Sequence, residues 1–532
     1  MTSEGSFVLL FSIATAVAIA VRYLRVPYTV ALVLVGLVLG TVNAVAAPHL
    51  TKELLFAIFL PGLIFEAAFN IDVREFWANR LAIAALSVPG VVAAIALTAA
   101  IATALLGGFG LDATFDWRLG LVFGAIIAAT DPIAVVALFK RLNVGHRLGT
   151  LVEGESLLND GTSVVFFTLI VAFVGGASTS ASSLALQFAT SVGGGALVGL
   201  VVGVTATQIT KRIDDPLIEI ALTVIAAYGS FAAAEHFHLS GVISTVVAGM
   251  LCGTYGWRVG MSPSTKLAVQ SFWDYVAFAL NSIVFLLIGF EVHLPTLLGS
   301  AGIIGVAYVA ALLARFGVVS AVSLLLRPTR ERLPGSWTWM LTWGGLRGAL
   351  SMVLALALPF DFPHREQLLT MTFGAVLLSL VLQGLTMTWL LRRLGLVHER
   401  PGEAAHEEAR ATLRSVDVAL AELERLRVSH AAPPDSLDAM QQQIEARRAG
   451  AERRLAALHV AKAEMQRDEV IRAVRRVLLA ERADLSEAYE HDTFAPEVVA
   501  RLSADLDARL ARLDAGEFTD PNELLVPGVN SG

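Results

Sequence analysis

Charge is scarce in this chain: Asp, Glu, Lys and Arg make up only 16% of its 532 residues, against about a quarter in an ordinary soluble domain. Cysteine is almost missing. Cys252 stands alone, which excludes an intrachain disulfide and any multi-cysteine metal site. There is no P-loop to energise a pump with nucleotide and no HExxH to hold a catalytic zinc. The histidines fall near helix ends, with no serine partner at depth, so an intramembrane serine hydrolase lacks its pair. A repeated filter loop, as an ion channel would need, is also missing. No basic stretch precedes the first apolar run; Arg22 and Arg25 follow it instead. That order reads as a retained transmembrane helix, not a cleaved signal peptide.

What is plentiful is apolar. Hydrophobic residues make up 55% of the chain and the mean hydropathy is +0.67. Runs long enough to cross hydrocarbon recur through the first three-quarters, more apolar surface than one soluble core can hide. The expected fold is all-α, a polytopic membrane protein with about thirteen transmembrane helices followed by a cytosolic helical tail. The helices are predicted near 6–24, 28–47, 53–70, 81–106, 118–139, 150–174, 184–209, 217–235, 239–256, 268–291, 303–326, 337–359 and 366–391. The third is short and the ninth is weakened by glycines. Basic residues cluster after odd-numbered helices, from Arg22 and Arg25 through Arg74, Lys140, Arg141, Lys211 and Arg212 to Arg327, Arg330 and Arg332. Loops after even-numbered helices carry only Lys52, Arg118 and Arg365. By the positive-inside rule the N-terminus is expected outside and the tail in the cytoplasm.

The domains are therefore expected at 1–397, in the membrane, and 398–532, a helical tail. The tail is rich in Ala, Arg, Glu and Leu, with Leu413, Val416, Leu420 and Leu423 at helical spacing. Pro433 and Pro434 break it, and Asp435 or Ser436 is placed to cap the next helix. That helical pattern runs to about Tyr489, Pro496 opens a shorter helix, and the residues from Gly516 read as disordered. A solvated appendage and a regulatory or dimerising unit fit this pattern equally.

Function is expected where polar side chains lie at membrane depth, because a charge at a helix centre costs roughly 2.5–3.5 kcal/mol to insert. Three clusters qualify. In Thr130-Asp131-Pro132 the proline removes a backbone donor and drives Asp131 out of helical geometry. A broken helix within the membrane is tolerable only where it lines a cavity or binds something. In Glu155-Ser156-Leu157-Leu158-Asn159-Asp160, offsets of four stack Glu155 over Asn159 and Ser156 over Asp160. With a helix start near 150, Asp160 lies roughly 15 Å into the membrane. Carboxylate, amide and hydroxyl oxygens suit a small hard cation. In Gly344-Gly345-Leu346-Arg347-Gly348, three glycines weaken a helix and the arginine calls for an anionic partner. The fifth and twelfth helices are seven apart and so antiparallel. Two interrupted helices in that relation point to two inverted six-helix repeats, with broken crossing helices and the seventh as linker. Glu66 is a partly buried acid or a snorkelling one, and Arg315, well inside the eleventh helix, reads as structural. The glycines at 193, 194, 195, 199 and 203 read as a close helix contact.

These three motifs, in this order, with Phe65-Glu66-Ala67 in Leu60–Asn70, resemble the electroneutral sodium/proton antiporters of the NhaP and NHE kind. The resemblance covers roughly residues 1–395. It implies a homodimeric secondary transporter in the cell membrane, not an enzyme. Its partners would be a monovalent cation and a proton, with no cofactor and no nucleic acid. It also implies sodium, or lithium, bound at Asp160, Asp131, Thr130 and Ser156, with Asp160 as the carboxylate that also takes the proton. Asn159, Glu155 and Arg347 would support the site. The Asn159-Asp160 pair is similar to the electroneutral branch. Potassium/proton exchange is the nearest alternative, since cavity size decides between these cations and the ligand types do not.

Overall fold

The computed structural model describes residues 3–42, 55–397 and, in the tail, 403–428, 434–457, 470–482, 496–515 and Glu523, less short stretches within them. Each of the thirteen predicted apolar stretches contains helix among its described residues. In chain order they are α1 (Ser3–Val21), α2 (Tyr28–Thr41), α3 (Leu60–Asn70, entered through a π-turn at Leu55–Phe59), α4 (Arg80–Ser87 continuing as Pro89–Gly108) and α5 (Trp117–Ala128 and Ile133–Arg141). Next come α6 (His146–Val174), α7 (Ala181–Thr210), α8 (Pro216–His236), α9 (Gly241–Leu251, then a π-turn at Cys252–Gly256) and α10 (Pro263–Glu291). The last three are α11 (Ala301–Leu325), α12 (Gly335–Trp343 and Ala349–Leu356) and α13 (Arg365–Leu378 and Gly384–Arg393, joined by a π-turn at Ser379–Gln383). Among the described residues, eight helices are long and apolar enough to cross a membrane by themselves, and α3 and α9 fall among the shorter apolar ones. Arg22, Arg25, Lys52, Arg330, Tyr489 and residues 516–522 lie outside the described residues.

Local chemistry sets many of these ends. Asp116, Ser180, Asp215 and Ser240 cap α5, α7, α8 and α9, their side-chain oxygens accepting from the first-turn amides. Two expectations need correction. The stretch 81–106 is not one smooth helix, because Pro89 interrupts the α4 ladder at Val88. In addition, α6 begins at His146, so Asp160 lies roughly 21 Å along a 29-residue helix, near its middle. The glycine stripe of α7 meets α9: a Cβ on Gly199 would stand 2.1 Å from Ser244 O, whereas Gly193 faces open space.

The first six and the last six of these helices show matching packing. Helix α1 lies on α2 and α8 on α9, while α4 packs on α5 and α11 on α12. The fifth helix of each half is the broken one. A core of buried Leu, Ile, Val, Phe and Ala from α4, α5, α10, α11, α12 and α13 surrounds the breaks.

The chain divides into two compact units, Met1–His398 and Glu399–Gly532. In the second, α14 (Glu403–Val428) packs on α15 (Pro434–Ala457). Helix α15 starts at Pro434 itself, ahead of Asp435 and Ser436, because proline's fixed φ suits the first turn. Helix α16 (Pro496–Ala515) buries Leu506 and Leu513 against Val474 and Leu478.

Candidate functional site

The two breaks touch. The Asp131 amide donates to Leu346 O at 2.8 Å, so the non-helical stretch of α5 lies directly against that of α12. Four half-helix ends meet here, each with unsatisfied backbone groups and a partial charge. Arg347 answers one of them: its Nη1 donates to Ala128 O at 2.9 Å and Ala129 O at 3.2 Å, at the carbonyl end of the first half of α5. Sequence reasoning called for an acidic partner; the structure supplies the negative end of a helix dipole instead. Its own amide donates to Ser379 Oγ at 3.1 Å, in the π-turn of α13.

Asp131 answers the opposite ends. Its Oδ1 accepts from the Ile133 amide at 3.0 Å, capping the second half of α5. The carboxylate also lies against the start of the second half of α12, where only glycine fits: a Cβ on Gly348 would stand 2.3 Å from Asp131 Oδ2.

Helix α6 lays its polar face along this crossing. Ser156 Oγ donates to Thr130 O at 2.5 Å. Asn159 Nδ2 donates to Ala128 O at 3.2 Å, Thr130 Oγ1 at 3.1 Å and Glu155 Oε1 at 3.3 Å. Its own Oδ1 is held by Ser163 Oγ at 2.8 Å. Glu155 makes a two-pronged ion pair with Arg315 at 2.8 and 2.9 Å, and Arg315 Nε reaches Leu341 O at 3.3 Å. Glu155 and Arg315 are both buried, and together they tie α6 to α11 and α12. The kink in α4 is bound in as well. Thr162 Oγ1 donates to Ser87 O at 2.6 Å, and Ser87 Oγ donates to Glu155 O at 3.1 Å.

Asp160 is treated differently. Its Oδ1 is buried and accepts no hydrogen bond. It faces a cavity of about 110 Å³ whose lining includes Thr130, Asp131, Ser156, Glu66, Glu153, Asn281 and Gly348. Thr130, Asp131, Ser156 and Asp160 thus meet around one space, and Glu66 joins them, accepting from Asn70 Nδ2 at 2.7 Å. Asn159 and Arg347 stand behind this wall, and Glu155 and Arg315 line a much smaller space with Thr130 and Ser156. Glu66 lies one turn before α3 ends and Glu153 two turns after α6 begins. The cavity therefore runs from the crossing toward the bundle end where Asn70 and His146 lie. Sequence reasoning did not name Glu155 as the acid that pairs with Arg315, and it missed Ser87, Thr162 and Asn281, which stand in no motif.

Residues 8–393 match the family model described as sodium/hydrogen exchanger, transmembrane. The chain belongs to that family. This sodium/hydrogen exchanger family member is 38% identical over 418 residues to the Na(+)/H(+) antiporter ApNhaP of Aphanothece halophytica, covering 77% of this chain and 78% of that one. It is 32% identical over 521 residues to the Na(+)/H(+) antiporter NhaS2 of Synechocystis, covering 96% and 94%. Its fold is similar to the solved structure of the sodium proton antiporter MjNhaP1 from Methanocaldococcus jannaschii, with a TM-score of 0.59 at 19% identity. That likeness covers 74% of this chain and 99% of the other. A polytopic all-α membrane protein of the exchanger family is thereby established.

Proposed function

We propose that this exchanger moves a sodium ion, or lithium, against a proton across the membrane, with the two competing for Asp160. The observation that carries the reading is the orphaned, buried Asp160 oxygen facing a polar cavity beside two broken helices. An ionised carboxylate left without partners in the interior is costly. Either a proton or a hard cation relieves that cost, and the carboxylate's single charge cannot serve both at once. The neighbouring oxygens of Asp131, Thr130 and Ser156 are of the kind that replace a sodium ion's water. If only the neutralised carboxylate can cross between faces, the two gradients are coupled.

The other charges at the crossing are already committed. Glu155 is balanced by Arg315, Asp131 accepts from the Ile133 amide at the start of the second half of α5, and Arg347 holds helix carbonyls. Among the acids of the crossing, Asp131, Glu155 and Asp160, this leaves Asp160 to titrate, which supports one-for-one, electroneutral exchange. The fourteen Lys and Arg of the odd-numbered loops, against three in the others, support a cytoplasmic face at the cavity's open end. The same bias supports a multi-pass cell-membrane protein with its N-terminus outside and the tail of residues 398–532 inside. A homodimer and a regulatory tail are the accompanying expectations. The relatives' printed names favour sodium over potassium.

The test is Asp160→Asn in everted vesicles, following the pH change that added sodium provokes. Asn keeps the shape and removes the titratable charge, so the exchange signal should disappear while the protein remains in the membrane. Exchange that persists in this variant overturns the assignment. Repeating the assay with lithium and potassium on the unaltered protein ranks the cations.

A further inference from the structure

We propose that Asn281 is a further ligand for the transported cation, an oxygen supplied from α10 and used while the site is open on the cavity side. The proposal rests on the reading of Asp160 as the exchange site. Two buried side-chain oxygens in the cavity wall accept no hydrogen bond from the protein: Asp160 Oδ1 and Asn281 Oδ1. Buried polar atoms are otherwise nearly always paired. An amide oxygen left open toward a polar, water-sized space is paired by what enters that space. A neutral carbonyl-type oxygen is also a good sodium ligand, since it replaces one water without adding a charge that the proton-loaded form would have to carry.

The backbone around Asn281 is fixed. On one side of it, Leu280 wedges against Gly62 of α3, where a Cβ would stand 2.7 Å from Leu280 Cδ1. On the other, Ser282 shares a 2.7 Å hydrogen bond with the Tyr28 hydroxyl of α2. Residues 280 and 282 are thus held against α3 and α2, and the amide between them is presented to the cavity. Helix α10 packs chiefly on α1, α2, α3 and α8, whereas Asp160, Asp131 and Thr130 belong to α5 and α6. The cavity wall therefore joins two groups of helices, and Asn281 is the polar contribution of the second group beside Glu66. When the site faces the other side of the membrane, this wall is no longer around the ion. Asn281 then sets sodium affinity on one face only.

The experiment compares Asn281→Ala with the unaltered full-length protein in everted and right-side-out vesicles, varying sodium on each face in turn. The half-saturating sodium concentration should rise roughly three- to tenfold, the loss of one modest polar contact. The rise should appear on the cavity face and not on the opposite one, with the maximal rate held within about twofold. Asn281→Ser, which keeps a smaller oxygen, should fall between the two, and it carries the same test should the alanine variant fail to insert. Unchanged affinity on both faces, an equal change on both, or loss of maximal rate at unchanged affinity each overturns the proposal. Asp160→Asn run alongside separates the two ideas. Exchange that survives in it sinks the parent reading. Exchange lost there but normal in Asn281→Ala sinks only the role of Asn281.

Discussion

The Glu155–Arg315 pair offers a sharp test of which charges brace the site and which move the ion. Both side chains are nearly buried, at 2% and 8% exposure, and are joined by hydrogen bonds of 2.8 and 2.9 Å. Replacing Glu155 with Leu leaves the Arg315 guanidinium buried without its counter-charge, a loss of about 3–5 kcal/mol. Arg315→Met strands the carboxylate at a similar cost. Replacing both together removes the problem instead of doubling it, and an apolar pair of comparable volume is often neutral or better. The double variant gives up only Asn159's weak 3.3 Å bond and the 3.3 Å bond to Leu341 O. A double-mutant cycle on the thermal midpoint in detergent should therefore be strongly non-additive, with coupling above about 2 kcal/mol. The double variant should also regain part of the exchange lost in each single variant. Additive destabilisation would refute the pairing argument. A double variant that is stable but transports nothing would refute the assignment of Glu155 as a brace and place it in the transport step.

Three further outcomes follow from the crossing. Gly348→Ala should abolish exchange in a protein that still inserts, because its Cβ would clash with the Asp131 carboxylate; sodium-driven pH change checks it. Asn159→Asp should lower the exchange rate roughly tenfold or more, since an ionised aspartate cannot donate to Ala128 O or Thr130 Oγ1 and stands near Glu155. A gain of charge-moving transport in that variant would count against the supporting role given to Asn159. Thr162→Val should lower stability by about 1–3 kcal/mol by stranding Ser87 O at the α4 kink. Its half-saturating sodium concentration should stay unchanged, as vesicle titrations would show.

Much of the fold was readable because its causes are local. Long apolar runs announce helices, loop lysines and arginines alternate, and Pro132 and the glycines around Arg347 mark where the helices fail. The offset-of-four pattern on α6 likewise stacked Ser156 over Asp160, and the structure has both lining one cavity. What was not readable depends on partners far along the chain. Arg315 is 160 residues from Glu155, and nothing local to either predicts the other. Arg347 called for an acid because an isolated charge in the membrane normally finds one; carbonyls freed by the α5 break serve instead. Asn281 is one amide in an apolar helix, and only the shared cavity gives it meaning.

The central claim is that sodium and proton take turns on one carboxylate, and the apparent sodium affinity as a function of pH tests it most directly. Measured in everted vesicles, the half-saturating sodium concentration should climb as pH falls, approaching about tenfold per unit once the site is mostly protonated, with the maximal rate recovered at saturating sodium. A half-saturating concentration that holds constant across pH while the maximal rate falls would mean that the two ions bind separate groups, and would contradict the account.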